Sequence, residues 1–184
     1  MIIGITGTLG AGKGTVAEYL TNKHGFVYFS VKNFLAQEVL RQGKMVNRDT
    51  LTVAANELRA KHGSGYIIEQ LMTQALSVKI SSVVIESIRS IGEAQYLKSH
   101  GATLWAVDAE LRTRYNRIVK RASDKDSVSF EKFQEQEERE MSSNDPNNQN
   151  LAAVRNMADV LLMNDGTRDE LFEQVEAALQ KAGV

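Results

Sequence analysis

The stretch Gly7-Thr8-Leu9-Gly10-Ala11-Gly12-Lys13-Gly14-Thr15 restricts what this chain can fold into more than any other feature. Its glycines let the backbone curl until successive N–H groups point inward, where a Cβ would block the close approach of a ligand. Such a concavity attracts phosphate oxygens, and a helix N-terminus behind it adds partial positive charge. The apolar run Ile2-Ile3-Gly4-Ile5-Thr6 precedes the stretch, and Val16 and Leu20 follow at helical spacing. The local reading is therefore strand, loop, helix, with Lys13 placed to bridge the terminal phosphates of a nucleoside triphosphate or similar polyphosphate. Every residue from Gly7 to Thr15 is an expected contact.

Short β-branched runs alternate with stretches of helical period through the rest of the chain, the pattern of a parallel α/β sheet. Residues 2–6, 26–29, 83–86, 103–107 and 160–163 are the expected strands. Leu51, Ala54, Ala55 and Leu58, then Ile67, Ile68, Leu71, Met72 and Ala75, mark helices between them. Ser90 with Glu93 and Thr167 with Glu170 have capping-box spacing, and Asp145-Pro146 has the form of an N-cap and N1 proline. Each histidine precedes a glycine where a helical pattern ends, as His24-Gly25, His62-Gly63 and His100-Gly101. They read as helix ends, which weighs against imidazole catalysis or a histidine metal site.

A length of 184 residues predicts one domain, 1–184. The absence of cysteine excludes thiol catalysis and Cys-ligated zinc. A formal net charge of −1 gives no field for nucleic acid or an anionic membrane, and neither is expected as a partner. No apolar segment approaches the roughly 20 residues of a membrane span, and the start at Met1 lacks a leader pattern, so the expected location is cytoplasmic. Residues 109–145 stand apart: Arg112, Arg114, Arg117, Lys120 and Arg121 lie among acids from Asp124 to Glu140. The segment reads as a helical, mobile insertion, and its run Glu135-Gln136-Glu137-Glu138-Arg139-Glu140 as a solvated helix face.

The Gly-Lys-Gly-Thr ending of the loop resembles that of adenylate kinase and its relatives. Position 14 is glycine where most P-loops carry a magnesium-binding hydroxyl, and Thr15 offers one a residue later. Over nearly its whole length the chain is similar to the nucleotide-kinase branch that includes adenylate kinase, dephospho-coenzyme A kinase and an archaeal group of uncharacterised kinase-like proteins. Beyond the loop, the likeness rests on Ala54-Ala55-Asn56-Glu57-Leu58-Arg59, on Val83-Val84-Ile85-Glu86-Ser87-Ile88-Arg89, and on Ala158-Asp159 leading to Asn164-Asp165-Gly166. It implies a three-layer P-loop α/β fold with a five-stranded parallel sheet of order 2-3-1-4-5. It also implies ATP and magnesium as cofactors, a lid over the triphosphate at 109–145, and a separate acceptor site.

Under this resemblance Glu86 holds magnesium through water or orients the acceptor hydroxyl, in a place where relatives carry aspartate; as chemistry alone it is also a carboxylate capping the next helix. Arg89 matches the arginine that contacts an acceptor phosphate, and Arg59 is a second candidate for that pocket. Arg117 and Arg121, with Arg114 at helical spacing, resemble lid arginines that close over the γ-phosphate. Ser30 and Asn33 lie in the acceptor segment, although Asn33 and Ala36 replace the aspartate and arginine usual there. Asn164 and Gly166 match a turn lying against adenine in dephospho-coenzyme A kinase, and they are equally an ordinary Asx turn. The expected activity is transfer of the γ-phosphoryl group of magnesium-ATP to a nucleotide or nucleotide-like small molecule. Dephospho-coenzyme A kinase and a non-catalytic, regulatory ATP-binding module are the alternatives; acceptor identity and oligomeric state stay open.

Overall fold

The computed structural model describes residues 1–77, 81–121, 129–145 and 147–183. Strand β1 (Ile2–Thr6) leads through the glycine loop into α1 (Lys13–His24), followed by β2 (Val27–Ser30). Helices α2 (Val31–Arg41), α3 (Arg48–His62) and α4 (Tyr66–Ser77) precede β3 (Val83–Ile88), α5 (Ile91–Ser99) and β4 (Thr103–Asp108). Helices α6 (Leu111–Arg121), α7 (Phe130–Met141) and α8 (Leu151–Asn156) lead to β5 (Val160–Met163) and α9 (Arg168–Lys181). Every ladder is parallel and the order is β2-β3-β1-β4-β5, as the resemblance implied. The first and last expected strands coincide with β1 and β5, and the others differ only by a residue or two at their ends.

Parallel strands require crossovers, and each crossover lays a helix on a face of the sheet. One face carries α1 and α9, where Leu20, Leu171 and Val175 pack on Ile3, Ile5, Trp105 and Val107. The other carries α2, α4, α5 and α8, where Leu35, Ile67, Leu97 and Val154 pack with Val83, Ile85 and Leu104. The two-residue period of a strand does this sorting: Val84 faces the α1 layer while Val83 and Ile85 face the opposite one.

A bulge interrupts β3. Ile5 pairs with Glu86 but Thr6 pairs with Ile88, and the extra residue, Ser87, has φ 78°. That left-handed conformation is strained for a serine. The inserted residue also shifts the phase of the strand, so Ile88 joins the same layer as Ile85 and Glu86 is left at the end of the regular ladder.

The Ser90–Glu93 and Thr167–Glu170 capping boxes form as expected, and Asn47 with Thr50 adds a third at α3. Gly25, Gly63 and Gly101 all follow their histidines with positive φ at helix ends. Asp145 does not begin a helix: its Oδ1 accepts from the Asn147 N–H in an Asx turn, and α8 starts at Leu151 under an Asn150 cap. Pro146, Asp124 and Asp126 lie outside the described residues. Among the described residues, no helix is long and apolar enough to cross a membrane.

The deepest ion pair joins Arg59 to Glu93, side chains that are 1% and 0% exposed. Arg59 Nε and Nη2 donate to Glu93 Oε1 at 3.0 and 2.8 Å, while Nη1 donates to Asn56 Oδ1 and to the Asn147 carbonyl. Glu93 Oε2 accepts from the backbone N–H groups of Arg89 and Ser90. Removing one partner strands a charge in the core, at a cost of about 3–5 kcal/mol. Arg59→Met should therefore lower the urea midpoint by that equivalent, while Arg41→Ala, at a surface pair with Glu38, should cost less than about 1 kcal/mol. Equal losses would refute the central place of the buried pair.

Candidate active site

The glycine loop sits at the carboxyl end of β1, wedged between β4, α6 and the turn after β5. Thr6 Oγ1 donates to the Ile88 carbonyl at 2.8 Å and fixes the loop's entry. Gly7 has φ 139°, and a Cβ there would lie 2.1 Å from the Val107 carbonyl oxygen. Gly12, the N-cap of α1, has φ 106°, and its Cβ would lie 2.1 Å from Nδ2 of Asn164. That amide donates to the Ala11 carbonyl at 2.7 Å, so Asn164 braces the loop from the end of β5. Gly14 is different in kind: nothing lies within 4 Å of a Cβ built there.

Lys13 is buried, and its Nζ donates to the carbonyls of Gly7 and Thr8 at 2.9 Å each. Burial and then the charge of Arg89 push its pKa down to about 8, against the opposing pull of Glu86 and Glu140. The Thr8 hydroxyl is buried with no hydrogen-bond partner among the described residues. A curled-back lysine, an unpartnered hydroxyl and a cradle that a Cβ would fill all fit an incoming phosphate oxyanion.

Glu86 stands beside this loop. Its Oε2 accepts from the Tyr28 hydroxyl at 2.5 Å and its Oε1 from Ser87 Oγ at 3.2 Å. Burial and the bond to Glu86 push Tyr28 up to about 12, so the phenol stays a donor. Sequence reasoning missed Tyr28, because the β2–β3 register that brings it near Glu86 has no local signal. Arg89 Nη1 donates to Glu140 Oε2 at 2.7 Å and to Gln149 Oε1 at 2.9 Å.

On α6, Arg114 forks onto both oxygens of Glu137 at 2.6 Å and donates from Nε to the Ala109 carbonyl, tying α6 to α7. Arg117 Nη2 donates to the Asn164 carbonyl at 2.7 Å, and its Nη1 is buried with no partner among the described residues. Arg121 closes the helix as an exposed residue. The acidic run on α7 is thus not uniformly solvated: Phe133, Glu137 and Glu140 share one helical face, Phe133 is buried, and the two carboxylates turn inward with it.

A cavity of about 360 Å³ opens next to the loop, between α2, α3 and the end of α7. Leu9 of the loop, Val31, Leu35, Leu51 and Ala55 form much of its wall, and Arg48, Arg89 and Glu140 are charged groups at its edge. Arg59 borders it too, with its fork held by Glu93. Ser30 and Asn33 do not border it: Ser30 Oγ caps α2 by accepting from the Asn33 N–H, and Asn33 is exposed. The face that α2 turns to the cavity is Val31, Lys32 and Leu35. In the turn after β5, Asp165 Oδ1 accepts from the Glu110 N–H and Gly166 packs beneath the Glu170 carboxylate.

A family model described as an AAA domain matches residues 3–142. The chain belongs to that family. A UPF0200 protein of Methanococcus vannielii is 30% identical over 183 residues, 98% of this chain and 95% of the relative. Among solved structures, a protein from Thermus thermophilus has a TM-score of 0.65 at 23% identity, covering 98% of this chain and 97% of its own. A shikimate kinase from Bacteroides thetaiotaomicron has a TM-score of 0.62 at 13% identity, covering 100% and 99%. Likeness at these identities establishes the fold, which is that of the P-loop kinases.

Two outcomes follow for ADP titrated by calorimetry. Gly12→Ala should weaken binding about tenfold or more, because alanine is strained at that φ and its methyl displaces the Asn164 brace. Gly14→Ala should leave binding unchanged, and a loss there would show that the loop's geometry is misassigned. The second outcome concerns protons. Lys13 in the nucleotide-free protein loses its proton near pH 8 instead of 10.5, and a bound phosphate favours the charged form. Binding should therefore take up a proton and weaken as the pH rises past about 8, an uptake that Lys13→Met should abolish.

Proposed function

We propose that the protein is an ATP-dependent phosphotransferase that moves the γ-phosphoryl group of magnesium-ATP onto a nucleotide-like small molecule held in the cavity beside the loop. The observation that carries this reading is the adjacency of two sites: Leu9, inside the lysine-bearing glycine loop, is also part of the cavity wall. Hydrolysis or switching needs the first site alone, whereas group transfer needs an acceptor brought against the terminal phosphate. The fold shared with a shikimate kinase supports the same conclusion.

In this reading the loop amides and Lys13 hold the β- and γ-phosphates, and the lid comprises 109–145 within a single domain, 1–184. Thr15 and Glu86 offer hard oxygen ligands suited to magnesium, Glu86 through water, and the ion when bound neutralises phosphate charge. Among the described residues no three acidic or imidazole side chains converge to hold a metal unaided, so phosphate oxygens and water complete the set. Tyr28 and Ser87 hold the Glu86 carboxylate in one orientation. Arg117, with an unspent buried Nη1, and Arg121 deliver positive charge from α6. The Asn164–Gly166 turn lies where an adenine would extend from the loop, and the working compartment is the cytoplasm.

The test is ADP release from magnesium-ATP across a panel of nucleoside monophosphates, deoxynucleotides and dephospho-coenzyme A. One member should accelerate release strongly, and Lys13→Ala should reduce that turnover by on the order of a hundredfold. Tight ATP binding with hydrolysis that no acceptor changes would instead favour a regulatory ATP-binding module.

A further inference from the structure

The charged edge of the cavity allows the acceptor's chemistry to be named, on the reading that the cavity is the acceptor site. Glu140, near the end of α7, places its carboxylate between two guanidinium groups. Arg89 Nη1 donates to Oε2 at 2.7 Å, Arg48 Nε donates to Oε1 at 3.0 Å, and Arg48 Nη2 also bonds Oε1. Burial alone would raise the pKa of Glu140, yet Arg89 and Arg48 hold it below the ordinary carboxylate value. It is therefore an anion seated at the edge of a cavity, with its side chain 13% exposed.

The charges do not balance. One carboxylate faces two guanidiniums, and the remaining arginine at the cavity, Arg59, is neutralised by Glu93. The other bridge from α7, Arg114 to Glu137, is a one-to-one fork that does not border the cavity. A lone carboxylate at a doubly cationic site, facing a wall of Leu35, Leu51 and Ala55, occupies the position that the anionic end of a small organic molecule would take.

We propose that Arg48 and Arg89 form an oxyanion subsite, that Glu140 fills it when the acceptor is absent, and that the acceptor carries a single carboxylate or phosphate on an apolar body. On binding, the acceptor's oxyanion takes Glu140's place on the same donors, so one set of charge-assisted hydrogen bonds replaces another. A phosphate dianion neutralises the arginine pair fully and a carboxylate by half, and the experiment separates the two. Because Arg48 opens α3 and Glu140 lies on α7, the exchange also releases the tie across the cavity mouth.

Phenyl phosphate and benzoate serve as probes, titrated into the full chain with and without saturating ADP, which fills the glycine loop. Glu140→Gln should tighten one or both probes by about tenfold, and adding Arg48→Met to that variant should remove the gain. The probe that gains identifies the oxyanion. Arg48→Lys, which keeps the charge and loses the fork, gives the same comparison if Arg48→Met does not fold. ADP affinity measured on the same proteins keeps the two readings apart. Failure to bind ADP strikes the phosphotransferase reading; intact ADP binding with neither probe tightened by Glu140→Gln, or a gain that survives loss of Arg48, overturns the subsite.

Discussion

The acceptor side of the molecule depends on one buried carboxylate. Glu93 gives one oxygen to the guanidinium of Arg59 and the other to the backbone amides of Arg89 and Ser90. Three pieces of chain remote in sequence are joined at that point: α3, the turn after β3, and, through the far nitrogen of Arg59, the Asn147 carbonyl. Because both charges are removed from water, the pair holds its geometry much more tightly than a surface bridge would. The turn so fixed is the one from which the Arg89 side chain reaches Glu140 and Gln149, so the cavity's charged edge inherits its position from the core.

The donor side is braced differently, by backbone and amide contacts instead of charge. Asn164 gives its amide to the Ala11 carbonyl and its own carbonyl to Arg117. Loop, β5 and α6 therefore meet at a single side chain. The glycine at position 12 leaves the room that this amide fills. A loop held in this way presents its N–H groups already oriented, which is the condition under which backbone dipoles stabilise developing charge most strongly.

What could be read from the sequence was what is local. The glycine loop, Lys13, the flanking strand and helix, the Ser90–Glu93 box and the glycine-terminated helices each declare themselves within a few residues, and each stands in the structure. Long-range pairs carry no such sign. Arg59 looked like a candidate for the acceptor because its partner lies 34 positions away, and Arg48 drew no notice with its partner 92 away. The acidic run on α7 looked solvated because charge density outweighed the helical spacing of Phe133, Glu137 and Glu140. Asn33 faces outward because the period of α2 buries Val31, Leu35 and Val39, a pattern that helical spacing alone could have revealed.

The strained serine in β3 has a consequence for how this fold can vary. A strand admits substitution at nearly any position, but its length is counted in units of two, since each residue added or removed turns all that follow to the opposite face. Ser87 is the odd residue that puts Ile88 into the same layer as Ile85 and sends the chain on toward Arg89 and the Glu93 cap. Deleting it would relieve the left-handed backbone and restore a regular ladder, yet it would point every later side chain of the strand into the wrong layer. Insertions and deletions are thereby barred from this short segment by parity, whatever residues occupy it.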